Sequence, residues 1–371
     1  MRLHNHSYGV WFGAVVLALG LGHSSALGNG KEIFHLVERV NGTVEVQRGG
    51  QTNWRTLRQG DQLRPNDLLE VGHNGSVRVI CTSLKIWNSP RSGEFPVNDI
   101  CPKTLDNTWL NILAPANSGI IDPRGITDFP GTPFMLSPRH NTVVWEPKPV
   151  LRWNPVPGAS YYEVSVWGQD VNWNRRVKQS EVVYDGPEPL QSGVRYRVVI
   201  RTNGRWSSAD EVTNFWLLGE EDRQQLQEMI TNISQQVAVE EAKVLAIAYV
   251  QRHKKLYGVA IEGLEQWLAL GNRSGAVSQL LGDLYWEVKL GKLARERYLT
   301  GLAWVKQDGN LGRQAALLES LGLVDESLGD LQSTIQWLTE AQEIYRTLGD
   351  EARVQQLAEK LARLAYLKER F

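Results

Sequence analysis

Seven histidines, two cysteines and several adjacent carboxylates are the residues of this chain best suited to chemistry. Three of the histidines (His4, His6 and His23) fall in the first 26 residues, and His35, His73, His140 and His253 stand singly. Spacing therefore spells out neither the paired imidazoles of a zinc site nor a cysteine–histidine couple. A nucleophile elbow and a phosphate-cradling glycine loop are both missing. Gly72-His73-Asn74-Gly75 has the composition of a hairpin turn and lacks the strand-to-helix setting a phosphate loop needs. Glu240-Glu241 and Asp325-Glu326 sit in helical stretches, where a solvated face accounts for them. The expectation is a protein that is not an enzyme, with no metal and no cofactor.

Cys81 and Cys101 are the only thiols. In an oxidising compartment they are expected to pair, closing a loop of about twenty residues that contributes on the order of 3 kcal/mol in the chain-entropy description. The amino-terminal segment supplies the compartment. Phe12 to Gly22 is apolar but too short for a lasting bilayer anchor, and Ser24-Ser25-Ala26 offers small residues for cleavage. Residues 1–26 are expected to be a signal peptide, an uncleaved anchor being the alternative, and the mature chain is expected to be exported to a periplasm or cell envelope.

The elements that must position any site follow from composition. Three hundred and seventy-one residues exceed one core, and 42% apolar with 22% charged residues describes an ordinary folded chain. A formal charge of -1 removes the long-range attraction behind non-specific nucleic-acid binding. All fifteen prolines lie between Pro65 and Pro189. Because proline breaks helices, this predicts an all-β half followed by an all-α half.

Within the first half, Gly42-Thr43-Val44-Glu45-Val46 and Gly75-Ser76-Val77-Arg78-Val79 alternate apolar with polar residues, each behind an Asn-Gly turn. With Trp54-Arg55-Thr56-Leu57, Gly60-Asp61-Gln62-Leu63 and Asp67-Leu68-Leu69, this stretch resembles the FecR-type β module of exported bacterial proteins. The resemblance implies a small β domain over 29–114 and leaves a signalling role as one alternative. Residues 115–137, with five prolines and three glycines between Pro115 and Pro138, read as a linker. From 138 to 218, alternation returns in Leu151/Trp153, Tyr162/Val164/Val166 and Tyr196/Val198/Ile200, predicting a small sandwich. Pro149-Val150-Leu151-Arg152-Trp153, Gly158 to Val164 and Leu190 to Val198 are similar to fibronectin type III and immunoglobulin-like domains, which implies a spacer or binding module. Trp167 falls on the polar parity of its strand, and Trp173 reads as part of a loop from Gly168 to Arg176. Both are candidates for stacking on a cell-wall glycan.

The helical half, 219–371, carries the strongest pattern. Val277, Leu280, Leu281, Leu284, Tyr285 and Val288 form one apolar helical face, and Gly291, Gly309-Asn310, Gly329-Asp330 and Gly349-Asp350 read as breaks. From Gly282, steps of 12, 16 and 19 reach Ala294, Tyr298 and Gly301; from Gly322 they reach Thr334, Leu338 and Ala341. Small, large, small is the contact pattern of a helical hairpin, and a fainter copy starts at Ala248. With Leu281-Gly282 and Tyr285 this pattern resembles the tetratricopeptide repeat, a helical bundle being the other arrangement it allows. The resemblance implies a concave groove lined by Gln279, Asp283, Trp286 and Glu287, by Glu319, Leu323, Glu326 and Ser327, and in the fainter copy by Tyr249, Arg252 and His253. The expected function is an exported adaptor gripping a protein or peptide in that groove, with Trp286 as anchor and the β units holding it away from their support. An envelope protein that binds glycan is the alternative. Nucleic acid is not an expected partner, and no stable membrane span is expected after cleavage.

Overall fold

The computed structural model describes residues 35–102, 132–202, 205–206 and 213–370. The expected signal peptide and most of the expected linker lie outside the described residues. What remains is β-sheet over residues 35–217 and helix from residue 220 onward.

The first β unit is two four-stranded antiparallel sheets. His35–Asn41 (β1), Gln62–Leu63 (β4), Ser76–Ile80 (β6) and Ile86–Asn88 (β7) run in the order β4-β1-β6-β7. Val44–Gln47 (β2), Trp54–Thr56 (β3), Leu68–Val71 (β5) and Gly93–Pro96 (β8) run in the order β3-β2-β5-β8. The alternating valines of β2 and β6 form the core with Leu63, Leu69 and both cysteines, as a period of two on a half-buried strand requires. The two Asn-Gly turns press on each other: a Cβ on Gly42, at φ +64°, would lie 2.2 Å from the Asn74 carbonyl oxygen, and one on Gly75 would lie 2.3 Å from that of Thr43. Only glycine fits both places. A single helical turn, Val97–Ile100 (α1), delivers Cys101 to Cys81 at disulfide distance, with Cα atoms 5.4 Å apart.

The second unit is a sandwich. Its larger sheet contains Thr142–Val144 (β10), Thr213–Leu217 (β17), Arg195–Thr202 (β15), Tyr162–Trp167 (β12) and Asn172–Val177 (β13) in that spatial order, with Arg205–Trp206 (β16) beside β15. The smaller sheet is Glu181–Val183 (β14), Val150–Trp153 (β11) and Met135–Ser137 (β9). Trp153 packs edge-on against Tyr162 at 5.3 Å, and Tyr196 lies against Phe215 at 5.7 Å. These aromatics pack among the buried aliphatic residues of both sheets, such as Leu151, Val164, Val198 and Ile200.

Eight helices follow: Glu220–Gln236 (α2), Glu240–His253 (α3), Tyr257–Ala269 (α4), Gly275–Glu287 (α5), Gly291–Asp308 (α6), Leu311–Ser327 (α7), Leu331–Thr347 (α8) and Glu351–Arg370 (α9). They pack chiefly as sequential pairs, α3 on α4, α5 on α6 and α7 on α8. Each glycine of the spacing pattern meets its large partner. A Cβ on Gly282 would sit 2.4 Å from the Tyr298 ring, and one on Gly322 would sit 2.6 Å from Leu338. The turns share one grammar. Gly309, Gly329 and Gly349 take positive φ, and the next residues, Asn310, Asp330 and Asp350, accept the backbone N–H of Arg313, Ser333 and Arg353. Gly291 departs from expectation, because it opens α6 rather than ending α5. The left-handed position there falls on Lys289, at φ 62°, which the turn holds without glycine. Among the described residues no helix is long and apolar enough to cross a membrane.

Neither β unit stands apart from the helices as a spacer. Arg139, buried in the sandwich, donates through Nε to the Val288 carbonyl at the end of α5, 2.8 Å away, and the Val143 N–H reaches the Lys255 carbonyl at 3.1 Å. The first β unit is held still more extensively.

Candidate partner-binding cleft

The side of the helical array where the repeat spacing predicts a groove is partly occupied by the protein itself. The turn between β3 and β4 inserts there. Gly60, at φ +76°, comes so close that a Cβ would lie 3.0 Å from the Ala276 Cβ. Arg313 of α7 reaches across this turn, donating to the Gly60 carbonyl at 3.0 Å, to Asp61 Oδ1 at 2.9 Å and to Gln279 Oε1 at 3.0 Å. Gln62 bonds the Tyr249 hydroxyl and Gln59 reaches Glu241 at 2.9 Å. Arg58 caps the end of α6, donating to the carbonyls of Asp308 and Gly309 at 2.9 and 3.4 Å, which places a cation at the negative end of a helix dipole. At one flank Glu38 accepts the Ala238 N–H at 2.9 Å, and at the other Asn53 donates to the Leu348 carbonyl at 3.3 Å. One small β unit thus spans from the end of α2 to the end of α8.

The groove residues named from sequence are consequently mostly engaged. Gln279 is held by Arg313. Asp283 accepts the Tyr298 hydroxyl at 2.8 Å, and burial pushes its pKa up to about 6 against the opposing pull of Arg252. Glu287 takes the Arg252 guanidinium, Glu319 accepts Tyr345 at 3.1 Å and Arg353 at 3.3 Å, and Glu326 pairs with Lys360 at 2.6 Å. Leu323 and Ser327 are half-buried. Trp286 is half-buried and packs beside the core formed by Tyr298, Leu302 and their neighbours. The acidic groove inferred from α5 and α7 alone is neutralised by arginines from α3, α7 and α9.

What stays open is a cleft of about 430 Å³ between the β2–β3 face and the amino-terminal ends of α7 and α9. Glu45, Trp54, Arg55, Thr56 and Arg64 line one wall; Leu311, Gly312, Ala316, Tyr345 and Arg353 line the other. The lining carries six arginines (48, 55, 58, 64, 313 and 353) against Glu45, Asp61 and Asp350. Arg48 is committed to Asp67 and Arg313 to Asp61. Arg55 has no carboxylate partner among the described residues. A half-buried indole beside an uncommitted guanidinium suits an extended segment bearing a carboxylate, which Arg can hold through two parallel hydrogen bonds. Sequence reading missed this wall. Trp54 and Arg55 lie on a three-residue strand, and their role comes only from docking onto helices some 250 positions later.

The remaining named residues lie elsewhere. Trp167 is 37% exposed on the sandwich. Trp173 is corrected from loop to strand β13 and from exposed to buried, with its indole N–H donating to Asp185 at 2.8 Å and its ring 5.2 Å from Tyr184. It offers no surface for a sugar. His35 lies within 4.8 Å of both cysteine sulfurs, the one grouping of metal-ligand type among the described residues. The sulfurs are at disulfide distance from each other, so neither is a free thiolate for a metal. His35 accepts the Thr82 N–H at 3.1 Å, and burial lowers its pKa to about 4.

No family model matches the chain, and no curated protein resembles it at a significant level.

Proposed function

We propose that the protein is an exported, non-enzymatic adaptor that holds an extended, carboxylate-bearing segment of a partner protein in the cleft between its first β unit and its last helical pairs. The observation that carries this reading is that Arg55, with no carboxylate partner among the described residues, and Trp54 both line a cleft whose walls come from two separate units. A cleft built this way is pre-organised, since the hydrogen bonds of Arg58, Arg313 and Asn53 fix its walls before any ligand arrives. Export is supported by the apolar leader in the sequence and by the cysteine pair.

The test is site-specific photo-crosslinking of the full chain in its native cells. A photoreactive residue replacing Trp54 is expected to capture one predominant protein, and Arg55→Glu in the same background is expected to abolish the adduct. The reference position is Leu270, 82% exposed at the far end of α4. Equal labelling from both positions, or an adduct indifferent to Arg55→Glu, would overturn the reading.

A further inference from the structure

A second surface lies on the outer face of the larger sandwich sheet, independent of the cleft. Inward positions of its central strands (Val164 and Val166, Tyr196 and Val198, Phe215 and Leu217) make the core. The alternate positions face out, and there the register brings an unusual set together. Trp167 of β12 stands opposite Arg197 of β15, Arg197 opposite Asn214 of β17, and Arg195 opposite Trp216. Strands are about 4.8 Å apart and alternate residues on one strand about 6.8 Å apart, so the Cα positions of the two tryptophans lie about 12 Å apart on a diagonal, with Arg195 and Arg197 on the strand between them. Asn172 on β13 extends the row beyond Trp167.

Three observations mark this face as a binding surface. Trp167 is one of few large apolar side chains left exposed, and it forms the rim of a depression of about 540 Å³ with Gln169, Arg195 and Arg197. Gly168 fixes that rim: a Cβ there would lie 2.4 Å from the Tyr196 ring, so only glycine lets the chain turn at the strand's end. The nearby acids are already engaged, Glu163 by Arg176 and Asp185 by Arg175, whereas Arg195 and Arg197 have no carboxylate partner among the described residues. Uncommitted positive charge concentrated on one face of a chain whose formal charge is -1 favours an anionic ligand there.

The geometry points to an acidic polysaccharide, a chain of uronate sugars lying along the diagonal. The exposed indole of Trp167 presents a flat apolar surface to the C–H face of a pyranose ring, with the half-buried Trp216 at the far end of the diagonal; each guanidinium can grip a carboxylate through two hydrogen bonds, and the carboxamides of Asn172 and Asn214 offer a donor and an acceptor to hydroxyl pairs. A neutral glucan would leave both arginines unused. Nucleic acid would meet only two uncommitted cations, too few for the multiple phosphate contacts that drive such binding.

The test is a titration of the full chain with polygalacturonate and with alginate, monitored by sedimentation, beside methyl-esterified pectin and single-stranded DNA. Binding to at least one polyuronate is expected, with pectin and DNA weaker. Trp167→Ala and the Arg195→Gln/Arg197→Gln pair are each expected to weaken it at least about tenfold, with the melting curve unchanged for the arginine pair, whose side chains are exposed. Arg55→Glu, in the cleft, should leave it as it was, which separates this site from the adaptor site. Failure to bind either polyuronate, binding indifferent to both sandwich variants, pectin bound equally well, or DNA bound more tightly would each overturn the assignment.

Discussion

The two β units are built from the same alternation of apolar and polar residues, yet their polar sides meet different fates. In the first unit the outward residues of the β3–β4 region (Arg58, Gln59, Asp61 and Gln62) are consumed by helices. In the sandwich, Trp167, Arg195 and Arg197 meet solvent. Alternation thus identifies which side chains leave a core, and says nothing about what they then meet. The deciding feature is the turn. Gly60 and Gly158 have nearly the same left-handed backbone, φ +76° and +77°, but Gly60 rests on Ala276 while nothing lies within 4 Å of the space beside Gly158.

That contrast can be broken by substitution. Leucine at both glycines incurs the same backbone strain of about 1 kcal/mol, but Gly60→Leu must also displace α5. The expected loss is about 4 kcal/mol for Gly60→Leu and about 1 kcal/mol for Gly158→Leu, read by chemical denaturation. Equal losses would mean that the first unit is not seated on the helices.

Acid should also separate the units, because the buried histidine belongs to the first. The pKa of His35 falls from 6.5 unfolded to about 4 folded, so the unfolded state binds the extra proton between those values. Stability is full above pH 6.5 and declines by about 3 kcal/mol as pH falls toward 4. His35→Gln, which keeps an acceptor for the Thr82 N–H, should flatten that slope; a slope unaltered by the substitution would place the acid sensitivity elsewhere.

Ion pairs offer a third comparison. Arg313→Met leaves Asp61 without its partner in a largely enclosed position and is expected to lower stability by about 2 kcal/mol. Arg176→Met removes an exposed pair with Glu163 and should leave the melting curve in place. One buried group works with the opposite sign. Asp283 is held near pKa 6 by burial, so its favourable contribution is complete below about pH 4 and disappears as pH rises through 6. Asp283→Asn should therefore stabilise the protein by up to about 3 kcal/mol at pH 7.5 and make little difference at pH 4.

Much of the architecture was legible because it is local. Proline placement divided sheet from helix, two Asn-Gly pairs located turns, and the spacing from Gly282 to Tyr298 and from Gly322 to Leu338 named pairs of residues that do touch. Errors arose where local signals were weak or shared. Lys289 took a left-handed position that glycine usually fills, so Gly291 was given the wrong end of a helix. Strand β13 buries just one large side chain, Trp173, and a single apolar residue cannot display a period of two. The cleft was invisible for a deeper reason. Gln279 and Asp283 were placed on the concave side by their repeat positions, but the groups that meet them, Arg313, Asp61 and Arg252, are brought there by packing between elements far apart in the chain.

Asp61 and Arg313 are 252 positions apart. During synthesis the first β unit emerges and closes its core long before α7, which completes its seat, has been made. Until α3, α5 and α6 have been made the turn around Gly60 is bare, and the same arginine and glutamines that later join those helices are free to engage anything acidic nearby. A ribosome-bound fragment ending before Glu240 would thus display a face that the finished molecule hides, so the order of assembly decides how long this chain is exposed to the wrong company.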